Sequence, residues 1–230
     1  MAKQKPMGMR IGESVFCAGY LVFALVAGII FLSARAGAHP AYATTCGVMT
    51  LLLGAGDAFH LVPRILSNVR GETDDADELR RRAFWLGLGN LVSSITMTIF
   101  YILLFDVMAL EPHVGGTAHP GHDLVRGLLL VLAAVRVALC LMPQNRWFTR
   151  EGNPTWGIIR NIPFVVMGVI TVVYLVAWYQ EWMLAVLVLL SFACYLGVVL
   201  LAHKKPMMGM LMIPKTVCYI VLIANLLGRL

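Results

Sequence analysis

Charge is what this sequence has least of. Only 13% of its 230 residues are Asp, Glu, Lys or Arg, against 60% hydrophobic residues and a mean hydropathy of +0.81. A soluble domain carries about 25% charged and 45–50% apolar residues, so half the charge needed for a globular surface is missing. Disordered, collagen-like and nucleic-acid-binding chains are excluded on that ground. Cysteine is sparse as well. The five, Cys17, Cys46, Cys140, Cys194 and Cys218, include no CxxC pair and all fall in apolar runs. They read as small buried apolar side chains, not as a disulfide framework or a metal site. Strand-like alternation is absent, which argues against a barrel. No internal repeat is visible, since the neighbours of Pro63, Pro163 and Pro214 do not align.

What is present is a series of long apolar runs. A membrane helix takes roughly 20 such residues, and seven runs fill most of the chain: 14–33, 44–66, 84–110, 124–142, 156–178, 183–202 and 209–227. The expected fold is an all-α integral membrane protein, a single polytopic seven-helix domain. The first run is too long for a signal-peptide core, which usually has about 7–15 residues, so cleavage is not expected.

Orientation follows from the basic residues of the short loops. Lys3, Lys5 and Arg10 precede the first run. Arg70, Arg80, Arg81 and Arg82 follow the second, Arg146 and Arg150 the fourth, and Lys204 and Lys205 the sixth. The alternate loops hold only Arg35. The net charge of +6 and the pI near 9.2 are thereby explained without nucleic acid. The N-terminus is expected inside, the C-terminus outside, and the location a plasma (inner) membrane.

Ionisable residues inside spans are costly and are functional candidates by default. Asp57, His60 and Arg64 stand in the second run, Asp106 in the third, Arg126 and Arg136 in the fourth, Arg160 in the fifth and Lys215 in the seventh. At 1.5 Å per residue, Asp57, Arg136 and Lys215 lie about 3, 4 and 6 Å to the cytoplasmic side of their midpoints. Arg160 and Arg64 lie about 10 and 13 Å to that side, and Asn90 and Asn161 share the same half. Charges from four helices at one depth cannot all face lipid. A shared cavity open to the cytoplasm is expected.

The second run is the densest. Positions 57, 60 and 64 share one helical face, and Gly54 and Gly56 permit close approach of a neighbouring helix. Pro63 frees the carbonyl of Phe59, as in broken helices that line cavities. Asp57 is the natural partner of Lys215, and a plain structural bridge from Asp57 to Lys215 or Arg136 is the bland alternative. Arg160 has its own bland reading, snorkelling to the surface. Seven spans with a lysine in the last resemble the retinal proteins in topology and in that residue alone. The carboxylate expected in the middle of the third span is absent, so retinal at Lys215 is not the favoured reading.

Four cations, Arg64, Arg136, Arg160 and Lys215, face one carboxylate, Asp57. That excess points to a phosphate, a carboxylate or a lipid headgroup. The 111–123 loop holds His113, His119 and His122, but their spacing fits no zinc pattern, and a solvated loop is expected. No metal or cofactor is expected. The leading functional expectation is a transporter for a small anionic solute, with Asp57 or His60 as a protonatable switch. The alternatives are an intramembrane lipid-modifying enzyme using Asp57 and His60, and a seven-helix receptor or accessory subunit. Membrane lipid is an expected partner in each case.

Overall fold

The computed structural model describes residues 7–71, 73, 75–111, 121–149, 152–201 and 206–230. These form α1 (Met7–Ser33), α2 (Pro40–Arg70), α3 (Ala76–Leu110), α4 (His122–Leu141), α5 (Pro154–Ile159), α6 (Ile162–Ala177), α7 (Trp182–Leu201) and α8 (Met212–Leu227), with no strand among the described residues. Among the described residues, seven helical segments are long and apolar enough to cross a membrane, α5 and α6 together making one of them.

The helices pack in chain order from α1 to α4, α4 packs on α6, α6 on α7 and α7 on α8, α5 packs on α7, and α8 closes on α1. α3 also touches α6, and residues Phe100, Tyr101, Leu104, Phe105, Val107 and Met108 are buried on successive faces. α3 is therefore the helix the others enclose. The outward side is apolar instead of charged. On α4, Leu124, Leu128, Val131 and Val135 form an exposed stripe at helical spacing. Water tolerates few such patches, whereas a hydrocarbon phase requires them. Lipid offers helices no hydrophobic reward for associating, so close contact has to hold them together. Gly89 provides one such contact: a Cβ there would stand 2.3 Å from the carbonyl oxygen of Phe59. α2 and α3 meet backbone to backbone at that point.

Besides α1 and α2 running a turn or more beyond the expected 14–33 and 44–66, two differences from the sequence reading stand out. The charged run after Arg70, expected as loop, is helical from Ala76 onward. Asp75 caps it by accepting the Asp77 amide at 3.0 Å, and Asp77 and Glu78 suit the positive end of the helix. The second difference concerns where a helix breaks. α2 runs unbroken through Pro63, while the fifth span breaks at Arg160 and Asn161. Pro163 cannot donate to the preceding turn, and the Asn161 amide caps the loose end by donating to the Gly157 carbonyl at 2.7 Å.

The end of the bundle remote from Arg64 is tied by ion pairs. Arg229 meets Glu181 at 2.7 and 2.8 Å and Glu111 at 3.1 Å, and Arg126 grips Asp106 with two bonds. His122 is not in a solvated loop. It opens α4, buried and stacked on Phe105 with centroids 4.8 Å apart. His113 and His119 lie outside the described residues.

Candidate functional site

The polar residues of the spans converge at the opposite end. A cavity of about 270 Å³ is lined by His60 and Arg64 of α2, Asn90 of α3, Arg136 of α4, Arg160 at the break, and Lys215 of α8. A smaller pocket adjoins it, containing Asp57 and sharing His60, Arg64 and Lys215. Asn161 does not line either pocket. It stands behind the wall as a positioning residue, accepting from the Tyr195 hydroxyl at 2.8 Å and from Arg136 at 3.5 Å.

The cations differ sharply in how they are compensated. Arg64 forms an ion pair with Glu13. Sequence reading missed Glu13, because it sits one residue before the first apolar run. With it, the count becomes four cations against two carboxylates, an excess of two instead of three. Arg136 is only 1% exposed yet has neutral partners throughout. Its Nη1 donates to Thr98 at 2.8 Å, and its guanidinium carbon lies 3.4 Å from the Phe164 ring centroid. Arg160 does not snorkel outward. It donates to the Asn145 side chain at 2.8 Å and lies 4.0 Å over Trp147. Lys215, 6% exposed, sits 5.4 Å from the Tyr195 ring and 5.2 Å from the Tyr219 ring.

The expected Asp57–Lys215 bridge is not made. No ion pair joins Asp57 to Lys215 or to Arg136 among the described residues. The Asp57 carboxylate instead accepts from the Tyr20 hydroxyl at 2.7 Å and the Ser93 hydroxyl at 3.1 Å. α1 and α3 both pack on α2 and bring these neutral donors to Asp57, while Lys215 is taken up by aromatic faces. Nor does a hydrogen bond join Asp57 to His60 among the described residues, so the pair lacks the contact of an assembled acid–base dyad.

Three buried nitrogens on the larger cavity's lining residues are orphaned: Nε of Arg136, Nε of Arg160 and Nδ1 of His60 have no hydrogen-bond partner among the described residues. Buried polar groups of this kind are rare and call for a specific reason. Chemically, the site offers guanidinium forks and an ammonium with aromatic walls, which suits a compact oxyanion. The aromatic lining was missed in the sequence because Phe164 and Tyr195 look like ordinary span packing, while Trp147 falls in the loop between the fourth and fifth runs. The one sequence signal of Phe164 and Tyr195 is position, in the same half of their spans as the arginines.

No family model, curated protein or solved structure matches this chain. The fold and composition define a multi-pass helical membrane protein, and the reading of its site rests on the geometry above.

Proposed function

We propose that this protein is a membrane transporter for a small solute bearing a phosphate or carboxylate group. One observation carries the reading. Arg136, Arg160 and Lys215 line a membrane-embedded cavity with no carboxylate partner among the described residues. Burying a cation without a counter-charge is expensive, and an anionic solute supplies the missing charge. The broken fifth span supports the same reading, because α6 begins beside the cavity and the start of a helix is its positive end.

Asp57 and His60 are the groups for proton coupling. Asp57 is held by neutral hydroxyls that serve either protonation state, and His60 lies between its pocket and the anion cavity. The basic residues of the alternate loops support an N-terminus and a cavity on the cytoplasmic side, and a plasma (inner) membrane is the location that fits this reading.

The test is a thermal-shift screen of phosphate, phosphomonoesters and short carboxylates on the purified protein, followed by proteoliposome uptake of the best hit. Stabilisation lost in Lys215→Met, with pH-dependent uptake lost in Asp57→Asn, is the expected result. Stabilisation and pH dependence unchanged by both substitutions defeats the proposal.

A further inference from the structure

A second concave feature lies on the outer side of the bundle, between α2 and α3 and separate from the central cavity. It is a groove of about 530 Å³. Phe59, Val62 and Leu66 of α2 and Trp85 of α3 form its apolar wall, each about half exposed. Arg70 and Arg81 stand at its other end. Both are exposed, and neither has a carboxylate partner among the described residues. Arg82 beside them is already engaged, donating to Glu78 at 2.6 Å and to the Gly71 carbonyl at 2.7 Å.

The dimensions match one half of a bilayer. From Phe59 to Arg70 a helix rises about 16 Å at 1.5 Å per residue, close to half of a roughly 30 Å hydrocarbon core. With Asp57 about 3 Å from its span's midpoint, the apolar wall from Phe59 to Leu66 runs from about 6 to about 16 Å off it, and Arg70 stands beyond, where that leaflet's headgroups lie. Trp85 sits near the junction, the usual level of interfacial tryptophan. In a membrane the space beside these helices is filled by lipid, and at headgroup level stand two guanidinium groups without a carboxylate partner among the described residues.

We propose that this groove binds one anionic phospholipid, with an acyl chain along Phe59, Val62, Leu66 and Trp85 and the phosphate between Arg70 and Arg81. A zwitterionic headgroup would bring its own cation against the arginines. An anionic one leaves the charge attraction intact. Each basic residue near an anionic lipid surface contributes about fivefold, so the pair gives roughly 25-fold preference.

Trp85 is a built-in reporter, read as the difference between the wild type and Trp85→Phe because Trp147, Trp156, Trp178 and Trp182 also fluoresce. The full chain is reconstituted in phosphatidylcholine containing a small fraction of chain-brominated phosphatidylglycerol or, separately, chain-brominated phosphatidylcholine, and tryptophan quenching is followed. Half-maximal quenching is expected at roughly 25-fold lower mole fraction for the anionic lipid. That preference disappears in the Arg70→Gln/Arg81→Gln double variant, and its signal disappears in Trp85→Phe. It survives in Arg80→Gln, since Arg80 does not line the groove, and in Arg136→Met in the central cavity. It also survives saturating inorganic phosphate, because the chain as well as the phosphate is held. Equal quenching by the two lipids overturns the proposal. So does loss of the preference with Arg80→Gln (general surface charge), with Arg136→Met (lipid in the central cavity), or with added phosphate (a simple anion site).

Discussion

Arg136 lies face-on over Phe164, its guanidinium carbon 3.4 Å from the ring centroid. The ring stabilises the cation through its quadrupole but supplies no full negative charge, so the arginine remains electrostatically open. Its other contacts are also replaceable. Thr98 keeps a bond to the Ser94 carbonyl at 2.8 Å, and Asn161 keeps the Tyr195 hydroxyl at 2.8 Å, whether or not Arg136 is present.

Arg136→Met therefore removes the charge without orphaning its neighbours. Replacing a buried charge with a well-packed apolar side chain is commonly neutral or stabilising by about 1–4 kcal/mol. The ligand-free melting temperature should hold or rise, while anion-dependent stabilisation disappears. A variant that melts lower and still responds to anions contradicts this account of Arg136.

Asn161→Asp places a carboxylate against Arg136 within the protein itself. An internal anion should compete with a solute, weakening anion binding by about tenfold or more, equivalent to ~1.4 kcal/mol. The Gly157 carbonyl also loses its side-chain donor, so a modest loss of stability accompanies the change. Isothermal titration with the best anion from the screen measures the first effect, and thermal melting the second.

Backbone contact between α2 and α3 predicts a strong contrast between two glycines. Gly89→Ala drives a methyl against the Phe59 carbonyl, which cannot rotate away, and should cost about 1–3 kcal/mol or more. Gly127→Ala in α4 meets nothing within 4 Å and should be neutral or stabilising by up to ~1 kcal/mol through helix propensity. Equilibrium unfolding in mixed micelles compares them directly.

Topology is open to labelling. Asp123 is fully exposed at the start of α4, and Arg80 is 85% exposed at the start of α3. All five native cysteines are buried, so background reaction is low. Asp123→Cys should react with an impermeant maleimide on intact cells, and Arg80→Cys only after permeabilisation. The reverse pattern inverts the orientation.

At the far end, Arg229 joins the C-terminal residues to Glu181 and Glu111, the latter 2% exposed. Hydrogen bonds that the Arg229 guanidinium donates to the Glu181 carboxylate raise it above its ordinary value. A raised cation contributes stability at every pH below its unfolded value, so the effect is complete at neutral pH and fades only in strong alkali. Arg229→Gln should cost about 3 kcal/mol and leave anion stabilisation intact. Arg229→Lys should fall between, since an ammonium cannot supply the two-pronged contact. Thermal melting with and without the anion separates these outcomes.

Much of the molecule was legible in one dimension. The number of spans follows from run length, because each span must satisfy its own backbone hydrogen bonds in hydrocarbon. Depth along a helix also depends only on residue count, which is why His60, Arg64, Asn90, Arg136, Arg160 and Lys215 could be expected in one half of the membrane. Which groups touch was decided by helix rotation and neighbour order, and these emerge only when the bundle closes. Asp57 and Lys215 share a depth, yet α1 and α3 bring Tyr20 and Ser93 to the carboxylate while Tyr195 and Tyr219 flank the ammonium. Glu13 reaches Arg64 because α1 packs along α2. The break at Arg160 and not at Pro63 is likewise tertiary: α2 stays continuous where Gly89 packs on the Phe59 carbonyl, while the fifth span yields where Asn161 can cap its loose end. Composition determines that the chain must live in lipid, and packing determines which of its charges are left without a counter-charge.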